Sequence, residues 1–191
     1  MQVPESAQRS EDWLNASNWW AILCKNSFDT LPTDVYTCIV RTDTTAQAER
    51  ALPVLPCACA NLRRAARAVT RIYNQELRVT GLELTQYTLL MALDITGETT
   101  QGELGRSLAL DTTTLTRMLG PLKKRGWIAV RPGDDRRQRL LRLSPSGRQK
   151  LQHSRSHWGR AQECLKRRLG KPTWSRMGRL LAEVTRLTVE A

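Results

Sequence analysis

Acidic side chains are scarce in this chain: 18 Asp and Glu stand against 30 Lys and Arg among 191 residues, a formal charge of +12. Long apolar runs are absent too. No stretch approaches the ~18 apolar residues that a membrane span needs, and the N-terminus lacks the charged-then-apolar pattern of a secretory signal. A cytoplasmic chain that spans no membrane is therefore expected. Its five Cys (Cys24, Cys38, Cys57, Cys59, Cys164) then read as reduced thiols rather than a disulfide framework. The usual equipment of an enzyme is also missing. There is no phosphate loop, no pair of carboxylates at useful spacing, and no Ser/His or Cys/His constellation beyond two His on one helix. Gly97, Gly102 and Gly105 resemble a glycine loop only superficially, because no strand precedes them and the spacing is wrong. No catalytic residue, metal site or cofactor is assigned.

What is present is basic charge, unevenly placed. Residues 1 to 50 hold four basic and seven acidic residues, net −3, whereas residues 51 to 191 hold 26 and 11, net +15. A region this basic points to a polyanionic partner, nucleic acid or an anionic membrane surface. Residues 1–52 show no sustained hydrophobic period and are interrupted by Pro4 and Pro32, so they read as a weakly ordered extension.

From Cys57 the pattern sharpens. "CACANLRRAARAVTRIYNQELRVT" places Leu62, Ala65, Val69, Ile72 and Leu77 roughly on one helical face, and Gly81 ends that helix. "LTQYTLLMAL" is a second helix with Thr85 as its cap. Thr100 and Glu103 form the capping box of a third. Asp111 caps a fourth, whose Leu115, Met118, Leu119 and Leu122 follow i, i+3, i+4, i+7. Pro121 inside it costs ~3 kcal/mol at an interior position, so a kink or an early last turn is expected. "WIAVRP" and "RQRLLRLS" form a hairpin with a charged tip. Ser144-Pro145 opens a long helix, Gly170 stops it, and Pro172 opens the last. In that last helix Trp174, Met177, Leu180, Leu181, Val184 and Leu187 form an apolar stripe.

The fold class that follows is mainly α with a small β-hairpin wing: a winged helix–turn–helix (residues 82–144) flanked by long dimerisation helices (57–80 and 145–191). Residues 53–191 make one domain behind the extension. The flanking helices carry more apolar surface than a domain of this size buries alone, and pairing with a second copy solves that.

The second helix of a helix–turn–helix enters the major groove and reads base edges with its N-terminal residues. Here those are Thr112, Thr113, Thr116 and Arg117, in a run with Thr114. Thr hydrogen-bonds base edges or phosphates and offers a methyl to thymine, and Arg reads guanine bidentately. Lys123 and Lys124, with Arg125, complement the helix dipole at its far end and lie ready for phosphates. On the hairpin tip "GDDRRQR", Arg136 and Arg137 suit an adjacent minor groove, with Asp135 positioning Arg137. Double-stranded DNA is thus the expected partner, and no membrane partner is expected. A non-specific architectural nucleic-acid binder is the alternative, and it leaves the Thr-rich helix unexplained.

The run Leu115–Gly147 resembles the MarR family of bacterial transcription regulators. Asp135, Arg137, Leu143 and Gly147 match that family's wing pattern, with Ser144 in place of a Thr, and Thr116-Arg117-Met118-Leu119 match its helix motif. The resemblance covers roughly residues 57 to 191. It implies an obligate homodimer on a pseudo-palindromic operator, acting as a repressor that a small-molecule effector or thiol oxidation releases. It also implies an effector pocket between the winged helix and the dimer helices, which Tyr87, Met91 or Trp158 would line.

Cys57 and Cys59 are candidate redox sensors. The family's peroxide-sensing branch places a reactive Cys fourteen residues before a Tyr, a spacing Cys59 and Tyr73 share. This chain carries Arg63 and Leu84 where that branch has further tyrosines. A small buried Cys at a dimer helix, a redox sensor, and a metal or ligand contact all stay open. Two apart on a helix, Cys57 and Cys59 would diverge, so a partner thiol would come from Cys164 or a second subunit. His153 and His157, four apart, have a metal-compatible spacing. They lack the intervening acid of a hydrolytic zinc helix, and they read as solvent-facing imidazoles.

Overall fold

The computed structural model describes residues 53–133 and 138–189. The described residues divide into two units, 53–165 and 166–189. The extension 1–52 and the wing tip, with Asp135, Arg136 and Arg137, lie outside the described residues.

Helix α1 spans Ala58–Leu77, and a 3-10 turn, Arg78–Thr80, tightens its end. Gly81 (φ 69°) then turns the chain in the left-handed region that glycine adopts without a Cβ penalty. Before α1 the chain folds back along it. Asn61 bonds both the N–H and the carbonyl of Leu55, and Arg64 Nη2 donates to the Pro53 carbonyl at 2.9 Å.

Helix α2 spans Leu84–Thr96, and here the cap differs from the expected Thr85. Glu83 is the N-cap, its N–H donating to Gln86 Oε1 at 3.3 Å, while Asn74 Oδ1 accepts the Leu84 N–H at 2.7 Å. Local hydroxyl preference pointed to Thr85, but a side chain on α1 takes the orphan donor.

A two-residue strand β1, Thr99–Thr100, leads into α3, Gln101–Ser107. The expected capping box is present: the Glu103 N–H donates to Thr100 Oγ1 at 3.2 Å, and Glu103 Oε2 accepts the Thr100 N–H at 2.8 Å. Helix α4 spans Thr112–Lys124 and runs through Pro121, which sits in its last turns. Strands β2 (Ile128–Pro132) and β3 (Arg139–Leu143) make the hairpin. The sheet order is β1-β3-β2, antiparallel, with Thr99 opposite Leu141 and Val130 opposite Leu141 on the other side. The third strand escaped sequence reading because two residues carry no period.

The core of the larger unit is mostly leucine. Leu77, Leu89, Leu90, Leu104, Leu115, Leu119, Leu122 and Leu141 are fully buried, each stabilising by roughly 1.5–3 kcal/mol relative to exposure. Helix α5 spans Pro145–Val189 and is broken at Gly170 (φ 73°, ψ 154°), where the sequence placed the stop.

The start of α5 is fastened to the hairpin. Ser144 N–H donates to the Trp127 carbonyl at 3.0 Å, and its Oγ donates to the Gly126 carbonyl at 2.6 Å while accepting the Gly147 N–H at 3.0 Å. Gly147 lies so close to the residue leading into β2 that a Cβ there would fall 2.1 Å from the Trp127 oxygen. Ser144 thus serves as a cap and Gly147 as the point of closest approach.

Candidate nucleic-acid interface

Helices α3 and α4 form the helix–turn–helix. The turn between them carries Ala109 at φ 51°, the non-glycine residue with positive φ among the described residues. Gly105 permits the approach: its carbonyl accepts the Leu110 N–H at 2.9 Å, and a Cβ there would lie 3.0 Å from the Leu110 oxygen. Buried Leu115, Leu119 and Leu122 fix the inner face of α4. The 100° step per residue then places Thr113, Thr116, Arg117 and Lys124 together on the opposite face, and all four are exposed.

The hydroxyls of this helix differ in what they have left to offer. Asp111 Oδ1 accepts the Thr114 N–H at 2.8 Å and Oδ2 accepts the Thr114 hydroxyl at 2.7 Å. Those two bonds hold the exposed Asp111 carboxyl below its ordinary range, so it stays ionised as a cap. Thr114 is thereby spent on capping. Thr116 Oγ1 donates to the Thr112 carbonyl at 2.7 Å and lies 2.6 Å from Gln101 Nε2. The side chains of Thr112, Thr113 and Arg117 make no hydrogen bond or ion pair with other described residues, and they stand open to a ligand. Sequence reading missed Gln101 because nothing in its spacing links it to a residue fifteen positions away.

At the far end of α4, Lys124 is exposed and Lys123 half-buried. Arg125 is exposed but engaged with its own chain: its Nη1 donates to the Gly81 carbonyl at 3.4 Å, and its guanidinium stands 5.0 Å over the Trp127 ring. Lys150 Nζ lies 5.2 Å from the same ring and bonds the Thr80 carbonyl. In the hairpin, Arg131 pairs bidentately with Glu98, which holds that carboxyl low.

Two expectations about sensing change. Cys57 is not in the helix but is its N-cap, in extended conformation (φ −117°, ψ 113°), while Cys59 lies in the first turn. The divergence expected of two helical cysteines therefore does not apply to this pair. Both thiols are exposed, whereas Cys164 is buried. The lining expected for an effector pocket also differs. Tyr87 and Trp158 stack on each other, ring centroids 5.8 Å apart, and are buried. Burial raises the Tyr87 phenol to about 12. An open groove of about 410 Å³ lies elsewhere, between Ala129 and Arg142 of the hairpin and Pro145, Arg148 and Gln152 of α5.

His153 is exposed, as expected, but His157 is half-buried. Arg160 hydrogen-bonds His157 Nδ1, and its Nε donates to Glu76 Oε2 at 3.0 Å. Burial and the Arg160 charge lower the His157 pKa. Among the described residues, no three His, Cys, Asp or Glu side chains gather as a metal site requires, and no helix is long and apolar enough to cross a membrane.

Known proteins resemble this arrangement. The sequence model described as the MarR family matches residues 80–138. The transcriptional regulator MosR of M. tuberculosis, solved in complex with DNA, is 32% identical with a TM-score of 0.63; the match covers 69% of this chain and 95% of that one. An uncharacterised HTH-type transcriptional regulator of Bacillus subtilis, YwoH, is 30% identical over 91 residues, 48% of this chain and 66% of its own length. The multiple antibiotic resistance protein MarR of Salmonella typhimurium is 36% identical over 78 residues, 40% of this chain and 54% of its own length. The match thus spans just over half to about two thirds of these two curated relatives, and nearly all of the solved one. On the fold, the motif residues and the near-complete match to MosR, the chain belongs to the MarR family.

Proposed function

We propose that this chain is a dimeric, sequence-specific DNA-binding transcription regulator, a repressor released by a small-molecule ligand or by thiol oxidation. The observation that carries the reading is the outer face of α4. Thr113, Arg117 and Lys124 are exposed on it without partners among the described residues, opposite three fully buried leucines. Thr112, Thr113 and Arg117 meet base edges, and Lys123 and Lys124 meet phosphates. The wing adds Arg136 and Arg137 to the minor groove, with Asp135 holding Arg137.

Dimerisation is supported by apolar side chains left in water. Leu62 on α1 is 44% exposed; beyond Gly170, Leu180, Leu181 and Leu187 are 56%, 44% and 56% exposed. A second copy of the chain covers such surface. Release by oxidation uses the exposed Cys57 and Cys59, and release by ligand uses the open groove of about 410 Å³ between the hairpin and α5.

The test is in vitro selection of genomic fragments by the purified chain at physiological salt. The selected site is then titrated with reduced and with peroxide-treated protein. A palindromic site of about two helical turns, bound far above bulk DNA, is expected. Binding lost on oxidation, restored by reductant and retained in Cys59→Ser identifies the sensor. No enrichment above background would instead point to an architectural binder.

A further inference from the structure

Thr116 sits where a helix–turn–helix reads bases, yet its hydroxyl is already engaged. A threonine hydroxyl has one proton and two lone pairs. The proton goes to the Thr112 carbonyl at 2.7 Å, and one lone pair takes a hydrogen bond from Gln101 Nε2 at 2.6 Å. A base acceptor such as guanine N7 or thymine O4 therefore finds no donor on Thr116.

Gln101 is the first residue of α3, so its bond to Thr116 joins the two helices of the helix–turn–helix. One of its amide protons is used there. Its second N–H and its Oε1 have no partner among the described residues, and the side chain is half-buried rather than wholly in water. A carboxamide presents a donor and an acceptor side by side. That pattern matches adenine in the major groove, whose N7 accepts and whose N6 donates. The bond to Thr116 also fixes the amide before DNA arrives, which reduces the ordering cost of the contact.

We infer that Gln101 is a specificity-determining residue that reads an adenine in the major groove, with Thr116 as the positioning residue that orients its amide. This rests on the sequence-specific DNA-binding reading above.

The experiment uses the full chain and the duplex it selects from a randomised pool, together with single base-pair variants of that duplex. Wild type, Gln101→Ala, Thr116→Val and the double variant are compared at several salt concentrations, with urea unfolding as a check on the fold. Gln101→Ala should lose about ten-fold in preference for A·T over G·C at one base pair per half-site. The slope of log affinity against log salt and the urea midpoint should not move. Thr116→Val should weaken the same preference to a smaller degree, and the double variant should match Gln101→Ala. Uniform weakening across all duplexes with the salt slope reduced by about one would mark Gln101 as a phosphate contact and overturn the inference. Unchanged base preference would overturn it too. If the wild-type chain selects no site, the regulator reading itself fails and this inference falls with it.

Discussion

Gly147→Ala tests the junction between the wing and α5. The added Cβ would sit 2.1 Å from the Trp127 carbonyl oxygen, 2.9 Å from its carbon and 3.0 Å from Leu143 Cδ1. The first two obstacles are backbone atoms, which cannot rotate aside. Restoring an ordinary contact requires the helix start and the hairpin to separate by about 1 Å. That movement takes three bonds out of range: Ser144 N–H to Trp127 (3.0 Å), Ser144 Oγ to Gly126 (2.6 Å) and Ser146 Oγ to Gly126 (2.9 Å). At a net ~1 kcal/mol each they represent about 3 kcal/mol. Overpacking strain adds about 1–3 kcal/mol, and the better helix propensity of Ala returns about 1 kcal/mol. The expected loss is thus about 3–5 kcal/mol, a large part of the ~5–15 kcal/mol stability of a typical domain. Urea unfolding followed by circular dichroism measures it. Gly159→Ala is the control: its Cβ meets nothing within 4 Å, and it should stabilise by about 0.5–1 kcal/mol. A Gly147→Ala midpoint at or above the wild-type value would refute the close approach.

Four other measurements bear on the remaining claims. Leu119→Ala removes a fully buried side chain and should cost about 2–5 kcal/mol in the same unfolding assay. Arg117→Ala should change base preference as well as affinity on the selected duplex, whereas Arg137→Ala should weaken binding broadly and flatten its salt dependence; an unchanged affinity for Arg137→Ala at physiological salt removes the wing assignment. The lowered His157 pKa means that the unfolded chain binds the proton more readily than the folded one. Stability should therefore fall as pH drops through the ordinary histidine range near 6.5, and His157→Gln should flatten that dependence in urea midpoints taken at neutral and mildly acid pH. Tyr87, raised to about 12 by burial, should stay protonated in the folded chain as pH passes the ordinary value of 10.0; its contribution is lost as pH rises further, which ultraviolet titration of wild type against Tyr87→Phe detects.

The elements and most of their ends follow from local sequence. Thr100 with Glu103, Asp111, Gly81 and Gly170 act within a few residues of themselves, through caps and backbone sterics that need no distant partner. The i, i+3, i+4, i+7 spacing of Leu115, Met118, Leu119 and Leu122 fixed which side of α4 is buried, and hence which side is free for DNA. Other features depend on residues far apart in the chain. Asn74 takes the first donor of α2, which moves its cap to Glu83. The pairing of Thr99 with Leu141 creates a strand too short to carry a period. The 2.1 Å approach at Gly147 belongs to the packing of the first turn of α5 on the Trp127 backbone that leads into β2. The bond between Gln101 and Thr116 changes what the reading helix offers to a base. Local hydrogen bonding and hydrophobic period are written residue by residue, whereas the partner of a given side chain across the fold exists only once the core has closed.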